Sequence, residues 1–187
     1  VSRIIGGRGK GRRLKTPPGL ATRPTGARVR QSLFDILAPR LTGCRFLDAF
    51  AGGGAVGLEA LSRGARTVVL VDSSAAAVAA ARENARALGG AGEVRLHRQD
   101  ALVALAALAE RGERFDVVYL DPPYESDLYE KALLAVSEAG LLAAGGLAIA
   151  EHFHKRALPE TIGRLVRTRS VRIGDHVLSL YAEPREE

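Results

Sequence analysis

Four apolar runs in this chain close on an acid: "RFLD" on Asp48, "TVVLVD" on Asp72, "VRLHRQD" on Asp100 and "FDVVYLD" on Asp121. Most are short, β-branched or aromatic and nearly continuous in their apolar residues. That is the pattern of a strand covered on both faces in a parallel sheet. Helical segments separate them, expected over 55–62, from the Ala-rich stretch after Asp72 to Leu88, over 101–111 and over roughly 126–138. A fifth run, "GGLAIAEH" (145–152), continues the series. "RLVRTRSVRI" and "HVLSLYAE", joined by Gly174-Asp175, alternate in polarity and read as an antiparallel hairpin. Ahead of the first strand, Val29, Leu33, Ile36 and Leu37 form one face of a helix, expected to be capped by Thr25 and ended by Pro39. The expected fold is α/β: a single-domain, Rossmann-like, mostly parallel seven-stranded sheet with helices on both faces and a C-terminal antiparallel hairpin. Sheets of this kind bind ligands at the carboxyl ends of their strands, where the four acids gather.

The 187 residues suffice for one buried core. No apolar run approaches the roughly 20 residues a membrane span needs, and no signal-peptide core follows the N-terminus, so a cytoplasmic, membrane-free protein is expected. The single cysteine, Cys44, precedes a strand and reads as a small buried hydrophobe. Charge is distributed unevenly. Residues 1–30 carry Arg3, Arg8, Lys10, Arg12, Arg13, Lys15, Arg23, Arg28 and Arg30 and no acid, leaving 18 basic against 21 acidic residues in the remainder. The chain therefore divides into a basic N-terminal arm, 1–24, and a domain, 25–187. All nine basic residues are candidates for nucleic-acid contact, since neutralising phosphates releases counterions.

"DAFAGGGAVG" sets Gly52-x-Gly54-x-x-Gly57 between a strand and a helix, which matches a dinucleotide fingerprint in form. The acids around it favour another ligand. S-adenosylmethionine (SAM) has no pyrophosphate for a helix N-terminus; it offers a charged amino group, a ribose diol and an adenine edge. Asp48 suits the methionine end, Asp72 the ribose and Asp100 the adenine amine. The loop Asp121-Pro122-Pro123-Tyr124 completes the set. Its prolines stiffen the backbone, so that the Asp121 carboxylate and the Pro122 carbonyl can accept both hydrogens of an exocyclic base amine. Held so, the nitrogen lone pair is free to point at a methyl donor, and the carboxylate offsets the charge that develops on nitrogen. Tyr124 can stack on the base.

Asp121 to Tyr124, together with "DAFAGGGAVGLEALSRGA", resembles class I SAM-dependent methyltransferases acting on exocyclic or amide nitrogens. "RIIGGRGKGRRL" (3–14) and "RPTGARVRQSLFDIL" (23–37) are similar to the RsmD-type ribosomal RNA small-subunit methyltransferases, and the likeness runs over roughly 3–183. The resemblance implies methylation of N2 of one guanine in 16S rRNA, within an assembling small subunit and beside a ribosomal protein; a monomer is expected. It implies catalysis at Asp121, Pro122, Pro123 and Tyr124. Cofactor contacts are expected from Asp48, Phe50, Ala51, Gly52, Gly54, Asp72, Ser73, Gln99, Asp100 and Ala101. The chain departs from the family pattern in three places: Gly53 stands where serine is usual, Gln31 where glutamate is common, and Asp72 where glutamate is frequent.

His152 and His154 share a strand face, but no third ligand stands at metal-binding spacing, so no metal is expected. Glu151 borders either the pocket or solvent. Arg167 and Arg169 share a face of the hairpin, for RNA or as a charged edge that blocks strand addition. Four rival readings stand beside the RNA methyltransferase. They are a DNA adenine-N6 methyltransferase, a protein glutamine methyltransferase, a non-catalytic RNA-binding assembly factor and an NAD oxidoreductase.

Overall fold

The computed structural model describes residues 2–17, 26–123 and 127–184. The helices are α1 (Ala27–Leu41), α2 (Ala55–Ser62), α3 (Ala75–Ala87), α4 (Ala101–Glu110) and α5 (Leu128–Glu138). The strands are β1 (Arg45–Asp48), β2 (Thr67–Asp72), β3 (Val94–Arg98), β4 (Phe115–Leu120), β5 (Leu142–Phe153), β6 (Thr161–Ile162), β7 (Leu165–Ile173) and β8 (His176–Ala182). They form one sheet of eight strands in the order β3-β2-β1-β4-β5-β8-β7-β6. β1 to β5 run parallel; β8, β7 and β6 pair antiparallel beyond β5. The expected seven strands are present, and the two-residue β6 makes the eighth.

Alternation along the central strands divides the core in two. Phe46, Val68, Leu70, Val117 and Ile149 face α1, α2 and α3, while Leu47, Val69, Val118, Leu120 and Ala150 face α4 and α5. Both faces are sealed, as near-continuous apolar strands require. Strand order reverses between β1 and β4, so their carboxyl ends diverge and leave a crevice.

Three boundaries differ from the sequence reading. α1 begins after Gly26, Thr25 lying outside the described residues, and it runs through Pro39 to Leu41. Pro39 removes one hydrogen bond in the last turn, and burial of Leu37 and Leu41, four apart on one face, outweighs it. β5 starts at Leu142, with Gly145-Gly146 inside it, where the register against β4 shifts from Phe115↔Leu142 to Val117↔Leu147. Cys44 is buried as expected, and burial raises its thiol to about 11, which rules it out as a nucleophile at neutral pH.

Residues 2–17 of the basic arm pack against the α2/α3 layer. Ile4 and Leu14 enter the core, Arg3 bridges Arg13, and Gly9 N–H donates to Ser62 Oγ at 2.9 Å. The anchor is Glu59 on α2, fully buried, whose carboxylate accepts from Ile5 N–H and Gly6 N–H, both at 2.8 Å, and from Arg63 Nε at 2.7 Å. Arg30 lies 3.8 Å from the same carboxylate and is itself only 2% exposed, with its guanidinium donating to Ser2 Oγ and the Arg3 carbonyl. Its expected RNA role is therefore corrected: Arg30 compensates Glu59 inside the protein. Replacing Glu59 with Ala strands the Arg30 charge and frees two backbone donors. The expected loss is about 3–5 kcal/mol by denaturant titration, with faster trypsin cleavage after Arg8 and Arg12.

Candidate active site

The crevice is a cavity of about 970 Å³, lined from the carboxyl ends of β1, β2, β3, β4 and β5, from α5, from His176 of β8 and from residues 14–17 of the arm. Backbone bonds carry the strand ends into their loops: Ala49 N–H to the Tyr119 carbonyl, Ala51 N–H to that of Val71 and Gln99 N–H to that of Asp72. These bonds fix where each terminal acid points.

Asp48 lies at the floor, 1% exposed, and its Oδ1 has no hydrogen-bond partner. Burial raises its carboxyl to about 7, against hydrogen bonds from the Phe50 and Gly57 backbone; the charges of Asp72 and Glu151 add to the rise. An orphaned acceptor at the bottom of a pocket fits a cationic amine. Asp72 is differently placed. Its Oδ2 accepts from Gly52 N–H and its Oδ1 from Ser74 N–H, both at 2.8 Å, so the half-buried carboxylate is rigid yet retains lone pairs for a diol. Asp100 caps α4 through Oδ1, which accepts from Leu102 and Val103 N–H. Its exposed carboxylate stands at the cavity rim.

Phe50, Ala51, Gly52, Ser73, Gln99 and Ala101 also line the cavity, as expected of cofactor contacts. Gly54 does not. It caps α2 in the left-handed region at φ 83°, and a Cβ there would meet Leu70, Leu58 and Ala81 in the core. It shapes the turn rather than touching a ligand. Gly53 borders the arm: a Cβ would lie 3.0 Å from the Lys15 carbonyl oxygen and 3.3 Å from Pro17 Cδ. The departure from serine at this position suits an arm pressed onto the loop. Asn84 of α3 holds the two together, donating to the Gly53 and Lys15 carbonyls at 2.9 and 3.0 Å and accepting from Lys15 N–H at 2.8 Å.

Asp121 follows β4 directly and opens into the cavity with protein on its other sides. Its carboxyl is held well above the usual range by burial and by the charges of Glu151 and Asp48. Pro122 is buried and Pro123 exposed at the cavity wall; Tyr124 lies outside the described residues.

Sequence reasoning left Glu151 undecided and passed over Tyr119 and His176. Glu151 is 2% exposed, accepts from the Tyr119 hydroxyl at Oε2 and pairs at Oε1 with His176 Nδ1 at 2.8 Å. Two signals pointed there: Glu151 is a further strand-end acid, and Tyr119 lies two residues before Asp121, on its face. His152 lines the cavity beside Tyr129 of α5, with Nε2 bonding Ser179 Oγ at 2.8 Å, and His154 pairs with Asp175. Among the described residues no cluster of His, Cys, Asp or Glu is arranged to hold a metal.

The remaining basic candidates fall into two groups. Arg8 pairs with Glu93, Lys15 with Glu83, and Arg12 donates to the Ala87 carbonyl, so these three fasten the arm. Arg3 donates to the Gly11 carbonyl within the arm. Lys10, Arg13 and Arg28 are exposed and make no ion pair among the described residues. Arg23 lies outside them.

A family model described as "Conserved hypothetical protein 95" matches residues 2–182. The ribosomal RNA small subunit methyltransferase D of Escherichia coli is 38% identical over 84% of this chain and 77% of its own, and YlbH of Bacillus subtilis 38% over 96% and 97%. Among solved structures, the Escherichia coli protein yhhF superposes with a TM-score of 0.85 at 36% identity, covering 97% of each chain. A hypothetical protein of Thermus thermophilus gives 0.82 at 38%, covering 96% and 98%.

A buried acid with a raised pKa costs stability once it ionises. For Asp48, ordinary near 4 when unfolded, the favourable contribution is complete below about pH 4 and is lost as pH rises to about 7. In chemical denaturation of the ligand-free protein, the wild type is expected to lose stability relative to Asp48→Asn across that window. The difference should approach about 1.4 kcal/mol per pH unit.

Proposed function

We propose, on the premise that this chain belongs to the family described as "Conserved hypothetical protein 95", the family of ribosomal RNA small subunit methyltransferase D, that it methylates the exocyclic N2 amine of a guanine in 16S ribosomal RNA from SAM. The observation that carries the reading is the unpartnered Oδ1 of Asp48, one strand away from the Asp121 loop. An anionic floor lacking a cation stands beside a rigid pair of amine acceptors.

When bound, SAM supplies an electrophilic methyl group. The chain's own residues do the rest. Asp48 holds the ammonium of the methionine end, Asp72 the ribose hydroxyls and Asp100 the adenine amine. The Asp121 carboxylate and the Pro122 carbonyl accept the two N2 hydrogens, which turns the nitrogen lone pair away from the ring and toward the methyl. Tyr124 stacks on the guanine. Lys10, Arg13 and Arg28 meet phosphates.

Labelled SAM offered with unmodified small subunits, naked 16S rRNA and duplex DNA, followed by nucleoside mass spectrometry, tests the reading. N2-methylguanosine in RNA is the expected product. Methyladenine in DNA would replace it with an adenine-N6 reaction, and cofactor binding without transfer would leave an assembly factor. Asp121→Ala should abolish transfer while calorimetry still finds SAM binding. Loss of both would make Asp121 structural.

Deleting the whole arm would remove Ile4 and Leu14 from the core, so the RNA role is tested by charge alone. Replacing Lys10, Arg13 and Arg28 together by Ala should lower the salt slope of RNA binding by roughly 2 with stability unchanged. An unchanged slope would remove these residues from the interface.

A further inference from the structure

Methyl transfer to an amine leaves one proton too many. As the carbon–nitrogen bond forms and the carbon–sulfur bond breaks, the sulfonium charge passes to nitrogen, and one of its two hydrogens must leave as a proton. In the reading above, Asp121 accepts that hydrogen bond. Asp121 lies in a walled cavity, and its own charge is disfavoured by burial.

The sheet places a continuation beside it. β4 and β5 are in register to Leu120↔Ala150, the last pair of β4, and the next residue, Asp121, is near enough to Glu151 for that charge to raise its carboxyl. Glu151 is held from both sides: the buried Tyr119 hydroxyl donates to Oε2, and His176 Nδ1 lies 2.8 Å from Oε1. Tyr119 is kept protonated by burial and by the surrounding carboxylates, so it remains a donor. β8 brings His176 to the opposite side of Glu151 from Asp121, through Phe153↔His176 and Glu151↔Leu178. His176 lines the same cavity as Glu151 but its side chain is 27% exposed against 2%, so the row runs from the buried floor to the cavity's solvent-facing side.

We propose that Glu151 and His176 form the proton exit of this site. The proton released from the amine passes from Asp121 to Glu151, then to His176 Nδ1, while the imidazole gives up its Nε2 proton to solvent. Atoms and charge balance without a redox partner: a thioether, an N-methyl amine and one solvated proton are formed. Tyr119 is a positioning residue, fixing the Glu151 carboxylate between its two neighbours. The charged and titratable groups facing Glu151 are Asp48 on β1, Tyr119 and Asp121 on β4 and His176 on β8, with Arg30 of α1 near Tyr119. This inference rests on the methyltransferase reading.

The test measures single-turnover transfer against pH on the RNA that the wild type modifies, with SAM affinity measured separately by calorimetry. Glu151→Gln keeps the size and the Tyr119 bond but cannot take a proton. Its rate should fall about 100-fold and lose one ionisation from the pH profile, with SAM affinity within about threefold of wild type. His176→Ala, at the more exposed end, should be slowed and then restored by added imidazole, more strongly by more basic imidazoles.

An unchanged profile in Glu151→Gln, or no imidazole rescue of His176→Ala, would overturn the exit. So would parallel loss of rate and SAM affinity, which would make Glu151 a cofactor ligand. If Glu151→Gln does not fold, rescue of His176→Ala decides alone. A wild type that methylates no RNA would overturn the reaction and the exit together.

Discussion

Three carboxylates share the carboxyl end of three neighbouring strands, and the only basic side chain ion-paired with them among the described residues is His176. Asp48, Asp121 and Glu151 all lie where burial disfavours their charge; the charges of Glu151 and Asp48 add to that penalty for Asp121, and the charge of Glu151 adds to it for Asp48. A fold avoids such an arrangement unless a ligand relieves it, because buried charge without a partner costs several kcal/mol. A cation entering the cavity is therefore bound by groups that the apo protein has already desolvated and aimed. The rest of the molecule reads as support for that row. The parallel sheet sets the spacing of the acids, backbone bonds beyond the strand ends set their direction, and the arm closes one wall.

The rigidity of the surround has a common origin. Asp72 is tied by two backbone N–H groups, Asp100 by two more, and Glu151 by Tyr119 and His176. Asp48 differs, since its Oδ1 has no hydrogen-bond partner among the described residues. Polar groups that are satisfied and still accessible are held ready, with no reorganisation needed when the ligand arrives.

Much of this was legible in the sequence because it rests on local pattern. Strands buried on both faces are runs of apolar residues, and a run that stops on Asp announces where it meets solvent or ligand. The hairpin followed from alternation around Gly174-Asp175. What escaped was tertiary. Counting charge made the arm read as a nucleic-acid contact and nothing more, whereas Ile4 and Leu14, ten residues apart and unremarkable in sequence, anchor it in the core. Arg30 was counted with the surface bases because nothing local shows that Glu59, on another helix, sits against it. Pro39 and the glycines at 145–146 were read as boundaries, and burial of flanking residues carried the helix and the strand past them. His176 belongs to the site only through the antiparallel pairing of β8 with β5, which no spacing rule reveals.

The fastening of the arm carries a temporal consequence. Its partners Glu59, Asn84 and Glu93 follow it by 53 to 85 residues in the chain. On a growing chain this segment precedes every partner, gripping Glu59 first and being fully fastened only when the β1-to-β3 half has followed, and contacts of such separation form late. The wall beside the glycine loop is thus the last part of that half to close, and Asp121, Glu151 and His176 of the same cavity lie further along the chain. A growing chain can therefore hold the walled glycine loop before the row of acids is complete, and the row is finished only when β5 and β8 join the sheet, a late event in folding.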